Sequence, residues 1–351
     1  MTQTSQSSER PLLSFAIPTY NRAKYLDQLL GVLLKQLQGE SRVELIVSDN
    51  ASTDNTLAVV EDYRQRGLDI RYLRNESNCG SDLNFIQCFE QSRGKYVWIC
   101  GDDDIIIEGG IAKILRLLEI ENYGLVYVSA YGFRGDYIAE KTSDELGRFA
   151  EVFPDGLRFV RRAGIMITFL SAIIVNKDLY STTAHQELSE LIGTNLLQLG
   201  WICPVLASSS KMLIVWEKLV ASKSGNTGDF GLCQTFGVNL ERVLEMTLAD
   251  RREIAVELRN RSMRDCLPRN ILAIRKGTAG LLKLENCCQL LEPIYKRNWR
   301  YWIYIYPIII LPLAMAKIWF SIIIFASRVR RAVPMMLDLV FSRARFVKRP
   351  E

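Results

Sequence analysis

The sequence predicts an α/β protein: an open, mostly parallel sheet wound with helices, followed by a helical region and a basic, apolar C-terminal segment. Three observations predict it. Strand-like and helix-like runs alternate four times between residues 12 and 108, at spacings of about 25 to 30 residues, the pattern of successive βα units. Each of those strands ends in a cluster of polar residues, as strands do when a ligand binds outside the carboxyl edge of a sheet. From residue 234 onward the alternation is gone, and the run Tyr301 to Ala326 is the most apolar in the chain.

Taken in order, Leu12 to Ile17 (LLSFAI) is a strand that stops at Pro18, and Thr19, Tyr20, Asn21 and Arg22 form a polar turn before the amphipathic run AKYLDQLLGVLLKQLQ. Val43 to Val47 is the second strand, delivering Ser48, Asp49, Asn50 and onward to Asp54, which reads as the cap of the next helix. Ile70 to Leu73 is the third, leading into RNESNCGSDLNF, a loop rich in Asn and Gly. The fourth, Tyr96 to Cys100, ends in Gly101 and three consecutive aspartates. Adjacent carboxylates repel unless a cation joins them, and hard oxygen ligands suit Mg²⁺ or Mn²⁺ carrying phosphates. Thr19 to Arg22, Asp49 and Asn50, Asn75 to Asn84 and Asp102 to Asp104 should therefore converge on one nucleotide-sized pocket. Singly, an Asx turn explains Asp49 and Asn50, a core aromatic explains Tyr20 and a solvated turn explains the aspartates. Their occurrence at four successive strand ends is what those explanations leave out.

Composition bounds the rest. At 351 residues and 48% apolar content the chain holds one large domain and an appendage, and disorder as a whole is excluded. The net charge of +5 is an end feature: from Tyr295 onward eleven Lys and Arg face two acids. Basic residues beside the most apolar stretch favour an anionic membrane surface and argue against nucleic acid as a partner. The eight cysteines form no Cys-X-X-Cys pair, so reduced thiols in a cytosolic compartment are expected. Residues 1–11 read as a flexible tail without the apolar core of a secretory signal.

The pieces SFAIPTYNRAKYLDQLL, VELIVSDNASTDNT, YLRNESNCGSDLNF and GKYVWICGDDDI, in that order and spacing over residues 12–108, resemble the family 2 glycosyltransferases of the GT-A fold, and within them the abequosyltransferase-like bacterial enzymes. The resemblance implies a donor half over 12–108 and an acceptor half over 109–230. It implies that Pro18, Thr19, Tyr20 and Asn21 line a nucleotide-diphosphate sugar, with Asp49 on the base; the residues themselves add Arg22, suited to balance phosphate charge, and Asn50 at the same strand end as donor-binding candidates. It also implies that Asn78, Gly80, Asp82 and Asn84 approach the sugar and diphosphate. The DXD-type motif falls on Asp102, Asp103 and Asp104, with Asp103 and Asp104 as metal ligands for Mn²⁺ or Mg²⁺. The expected acceptor is a lipid-linked glycan of bacterial surface polysaccharide, and the expected chemistry is one inverting displacement at the cytoplasmic membrane surface.

Two departures stand out. The motif reads Gly-Asp-Asp-Asp, and the Glu-Asp pair that supplies the general base in many members falls near Gly193 and Thr194, where this chain has no acid. Glu190, Glu187 and the single histidine, His185, are the nearest candidates. The missing pair keeps a second function open, a non-catalytic, membrane-docked nucleotide-sugar binding or scaffold protein. A nucleotidyltransferase is disfavoured, because Pro-Thr-Tyr-Asn-Arg is not a Gly-rich triphosphate loop.

Later segments are less regular. Leu125 to Gly132 and Phe169 to Val175 read as strands, Phe133 to Gly164 as loop, and Met212 to Trp216 as a last strand before the Gly and Ser loop SKSGNTGDFG. Residues 231–295 read as helical. In the segment 296–351, Pro307 and Pro312 interrupt the apolar run. A helix from Leu313 to Ala326 would extend only about 21 Å against a hydrocarbon core of roughly 30 Å, so interfacial or re-entrant segments are expected over a full span. PMMLDLVFSRARFVKR reads as a further short amphipathic helix.

Overall fold

The computed structural model describes residues 10–143, 149–180, 188–225, 230–279, 282 and 285–326, and the backbone of 346–347. His185, Glu187 and most of the expected tail lie outside the described residues, as does the expected helix at 334–349 apart from that backbone pair.

The first half is four βα units: β1 (Leu13–Thr19), α1 (Ala23–Leu37), β2 (Val43–Asp49), α2 (Thr56–Gln65), β3 (Ile70–Arg74), α3 (Ser81–Gln91) and β4 (Tyr96–Ile99). β5 (Ile105–Ile106) and α4 (Gly110–Ile120) follow. β1 is buried along its whole length, as a central parallel strand covered on both faces must be. α1 buries Leu26, Leu29, Leu30, Leu33 and Leu37, a stripe at helical spacing laid against the sheet. The order β4-β1-β2-β3 is parallel throughout and reverses direction at β1, which makes the gap between the β1 and β4 ends the topological switch point.

β1 runs two residues past the expected stop at Ile17. Pro18 and Thr19 stay paired with Ser48 and Asp49 of β2, while pairing with β4 ends at Ala16. The Thr19 carbonyl accepts from Asn50 N on the β2 side, so the missing N–H of Pro18 faces the opposite side, where no strand is left to receive it.

The second half is antiparallel where it joins. β6 (Leu125–Phe133), β7 (Ala150–Phe153), α5 (Gly156–Ala163), β8 (Ile173–Asn176), α6 (Leu199–Ser208) and β9 (Met212–Lys223) extend the sheet. β8 lies antiparallel between β4 and β6, and β9 pairs parallel with β6 and antiparallel with β7. The expected loop at 133–164 thus contains a strand and a helix. The expected strand at 169–175 begins as a 3₁₀ turn at Leu170–Ala172, and β9 is longer than MLIVW because β5 and the end of β6 pair with its residues from Val220 onward. Residues Phe346 and Val347 add an antiparallel strand to β7, where a helix was expected, because β7 offers an open sheet edge.

Beyond the sheet come α7 (Leu240–Thr247), α8 (Arg252–Arg261), α9 (Leu267–Arg275), α10 (Cys287–Tyr295) and α11 (Tyr306–Ile310), with residues 313–326 also helical. α7 and α8 bury Leu240, Val243, Leu244, Ile254 and Leu258 in the core beside the sheet, while α9 to α11 share a separate core of Leu267, Ile271, Leu291, Tyr301, Ile305 and Ile308 with Ala316. The chain breaks at Leu311, which is extended before Pro312, and among the described residues no helix is long and apolar enough to cross a membrane. Part of the apolar run is therefore core, while Trp302, Ile310, Met315, Ile318 and Phe325 remain exposed.

Candidate active site

The switch point gathers the expected residues of β1 and β4. Thr19 Oγ1 donates to Asp102 Oδ2 at 2.8 Å, and Arg22 Nη1 reaches Asp102 Oδ1 at 3.1 Å and Asp103 Oδ2 at 3.0 Å. The turn is held open by Asn21, whose φ of 52° is tolerated by a short polar side chain. Its N–H donates to Ser52 Oγ at 2.9 Å, and its Oδ1 accepts from Thr53 N at 2.7 Å. The next turn is tied down by Asp54, which accepts from Ala23 N at 2.9 Å. Tyr20 is exposed, free to meet a ligand from the rim.

Asp49 is fully buried at the end of β2. Its Oδ1 accepts from Ser52 N at 2.8 Å, and its Oδ2 accepts from Tyr72 Oη and from Arg74 Nη1 at 2.8 Å. Burial beside that carboxylate pushes the Tyr72 hydroxyl up to about 12. Asn50 organises the following loop: its Nδ2 donates to Asn78 Oδ1 at 2.8 Å and to the Gly80 carbonyl at 3.1 Å, and its Oδ1 accepts from Cys79 N at 3.0 Å. Gly80, at φ 88°, begins α3. Asn84 points into the sheet, accepting from Ser48 Oγ at 2.6 Å and donating to the Ser48 carbonyl at 3.0 Å, so it shapes the β2 end from behind.

Asp82 connects the two halves. Its Oδ2 accepts from Gly193 N at 2.6 Å across 111 residues of sequence, and burial raises its pKa above the ordinary carboxylate value. A carboxylate thus stands at the position where the sequence lacks the Glu-Asp pair. Glu190 is exposed on the Ser189–Leu191 turn, and its backbone carbonyl accepts from Arg242 Nη2 at 3.0 Å.

The aspartate cluster is unevenly served. Asp102 and Asp104 are buried, and burial pushes each up to about 6. For Asp102 the Arg22 charge and the Thr19 hydroxyl work against that rise; for Asp104 the Ser171 hydroxyl and Lys223 N do, the latter donating to Oδ1 at 3.0 Å. Among the described residues no group of three or more His, Cys, Asp or Glu side chains forms a ready metal cage. Two carboxylates come together beside Gly101: a Cβ built there would lie 3.2 Å from Asp103 Oδ1, 3.6 Å from Asp104 Oδ2 and 3.6 Å from Ser171 Oγ. That donor set fits Mg²⁺ or Mn²⁺, which commonly takes one or two carboxylates and completes its shell with phosphate and water.

Several contributors come from residues the sequence did not single out. Tyr72 and Arg74 hold Asp49, while Ser171 Oγ accepts from Gly101 N at 2.9 Å. The alternating Arg and Tyr of β3 were the available signal, since alternate residues of a strand share a face.

An α/β sheet with polar strand ends meeting at a switch point and a carboxylate cluster after β4 is an architecture of GT-A type. Residues 14–182, just under half of the chain, match the glycosyl transferase family 2 model. Among curated relatives, abequosyltransferase RfbV of Salmonella typhimurium is 32% identical over 179 residues, covering 48% of this chain and 53% of that protein. Poly(ribitol-phosphate) beta-N-acetylglucosaminyltransferase TarS of Staphylococcus aureus is 26% identical over 168 residues, 48% of this chain and 29% of that protein. The chain thus spans about half or less of the length of these relatives. The crystal structure of S. aureus TarS residues 1–349 with UDP superposes with a TM-score of 0.56 at 19% identity, covering 79% of this chain and 85% of that one, a likeness of fold.

Proposed function

We propose that this protein transfers a sugar from a nucleotide-diphosphate donor to a hydroxyl of a lipid-linked glycan in bacterial surface-polysaccharide synthesis, with inversion, at the cytoplasmic face of the membrane. The observation that carries it is the meeting of Thr19 and Arg22 with Asp102 and Asp103 at the β1/β4 switch point. RfbV and TarS, glycosyltransferases by name, support the same class of reaction.

In this reading Asp49, held by Tyr72 and Arg74, presents the base end of the pocket, and Tyr20 closes its rim. The Asn50–Asn78–Gly80 loop shapes the backbone around the diphosphate, with Asn84 as its support. Arg22 lies against Asp102 and Asp103 and is placed to turn toward phosphate charge. Asp103 and Asp104 would hold Mn²⁺ or Mg²⁺, which when bound supplies Lewis-acid stabilisation of the departing nucleoside diphosphate.

The acceptor proton is assigned to Asp82. Its Oδ2 is fixed by Gly193 N, and its pKa is raised by burial, which makes a carboxylate a better base. Glu190, on the same acceptor-side turn, is the comparison residue, with Glu187 and His185 outside the described residues.

The test is nucleotide release by purified protein in detergent with Mn²⁺ or Mg²⁺, a panel of UDP, GDP, CDP and dTDP sugars and a bacterial lipid extract. Metal-dependent release with one donor class, abolished in Asp103→Ala, is expected. Donor binding without release in any extract would favour the non-catalytic binding protein, the reading left open by the absence of acid at Gly193 and Thr194.

A further inference from the structure

A cavity of about 790 Å³ lies outside the nucleotide site, between α7, α8 and the chain after α10. Its buried wall is neutralised: Glu241 is held by Arg259 at 2.6 Å and by Tyr295 Oη at 2.9 Å. The rest of the lining is not balanced. Arg242, Arg297 and Arg300 face it with Glu245 as the remaining acid, and the Arg300 guanidinium stacks 4.6 Å from the Trp299 ring centroid. Among the described residues neither Arg297 nor Arg300 has a carboxylate partner within 4.0 Å. Three arginines converging on a cavity of this size suit a phosphate or diphosphate, whose oxygens accept bidentate guanidinium bonds.

Two further features select among phosphate ligands. The cavity floor is tied to the acceptor side of the active site, because Arg242 Nη2 donates to the Glu190 carbonyl at 3.0 Å and Asn239 Nδ2 to the Thr194 carbonyl at 3.0 Å. Between those two carbonyls lies Gly193, whose N–H holds Asp82. On the other side, the chain leaving Arg300 exposes Trp302, Ile303 and Ile310. An anion seated here has the catalytic loop on one side and an apolar surface on the other.

We propose that the cavity binds the diphosphate of a polyprenyl-diphosphate-linked acceptor, with the glycan directed along residues 190–194 and the lipid over the exposed apolar residues after Arg300. This rests on the lipid-linked acceptor of the preceding section.

The experiment measures binding of farnesyl diphosphate to the full chain by calorimetry, in wild type, Arg297→Gln/Arg300→Gln and Arg297→Lys/Arg300→Lys. Loss of two charge-assisted contacts should weaken binding at least about tenfold in the glutamine pair at unchanged melting temperature, with most affinity kept in the lysine pair. Inorganic pyrophosphate should compete, and farnesol should not bind. Equal affinity in wild type and the glutamine pair overturns the proposal. So does a loss confined to phosphatidylglycerol vesicles, which would make the cavity a site for phospholipid headgroups. Turnover separates this from the underlying reading. If wild type acts only on lipid-free glycans, the acceptor assignment fails; if the glutamine pair turns over a lipid-linked glycan with the wild-type KM, only the cavity assignment fails.

Discussion

Asp102 and Asp104 carry a cost that their hydrogen bonds only partly offset. Each is raised from 3.8 to about 6, so in the folded state each holds a proton between about pH 4 and 6 that the unfolded chain has released. Their contribution to stability is therefore fully present below about pH 4 and is lost as pH rises through about 6, at roughly 3 kcal/mol per group. Denaturant unfolding at pH 5 and pH 7 should show wild type losing more stability across that interval than Asp102→Asn, which has no charge to bury. A variant that tracks wild type at both pH values would remove the burial argument. Mn²⁺ should raise the wild-type melting temperature at pH 7 and less at pH 5, where Asp104 holds a proton. Asp82 allows a second residue-scale prediction. If it takes the acceptor proton, Asp82→Asn should lower kcat by about 10²-fold or more while donor Kd stays within about threefold. Calorimetry with the nucleotide and steady-state kinetics read the two quantities separately. An unchanged kcat in Asp82→Asn, with loss in Glu190→Gln, would move the role to Glu190.

At the scale of elements, the packing of β4 against β1 sets the distance between the two halves of the nucleotide site. Gly94, just before β4, has no room for a side chain: a Cβ there would lie 2.5 Å from Ser14 N and 2.8 Å from Leu13 C, backbone atoms of the central strand. Gly94→Ala should destabilise the protein by about 1–3 kcal/mol and weaken nucleotide binding with it, because Thr19 and Asp102 sit at the far ends of the displaced strands. A denaturant midpoint indistinguishable from wild type would show that the strands give way freely. The elements around this pair were legible in sequence because consecutive βα units place their polar strand ends on one edge, so Thr19, Arg22, Asp102 and Asp103 were found together. The partners of that set were not. Ser171 Oγ reaches Gly101 N from 70 residues away, and Lys223 N reaches Asp104 from 119, separations over which no local pattern carries information. Asn84 belongs to the same motif as Asp82, yet it turns inward to Ser48, since helical residues two positions apart leave the axis in nearly opposite directions. In the second half the signals themselves are weak. β7 is four residues long with a half-buried pattern, and α6 is apolar around its circumference and contains Pro204, so neither shows a clear period.

Across the whole molecule, charge and apolar surface are concentrated at one end of the sequence. From Tyr295 onward eleven basic residues face two acids, and the described part of that stretch exposes Trp299, Trp302, Ile310, Met315, Ile318 and Phe325. The same segment contributes Tyr301, Ile305, Ile308 and Ala316 to the helical core, so it is fastened to the protein by one face while the other stays open. An apolar face flanked by Lys296, Arg297 and Arg300 is suited to an anionic bilayer surface, where each basic residue near the headgroups contributes about 1 kcal/mol at moderate salt. The two contributions respond differently to conditions, which makes the membrane assignment separable into parts. Cosedimentation with phosphatidylglycerol-containing vesicles should fall as salt is raised from low to about 0.5 M, because the charge attraction is screened over a Debye length of only a few ångströms there. A residual, salt-insensitive binding should remain and should be lost in Ile318→Ser/Phe325→Ser, which removes two exposed side chains of the helical residues 313–326 without touching the buried Ala316. Equal binding to neutral and anionic vesicles would eliminate the charge contribution. Binding unchanged in the double serine variant at high salt would move the apolar contact elsewhere on the molecule and leave this face to a protein partner.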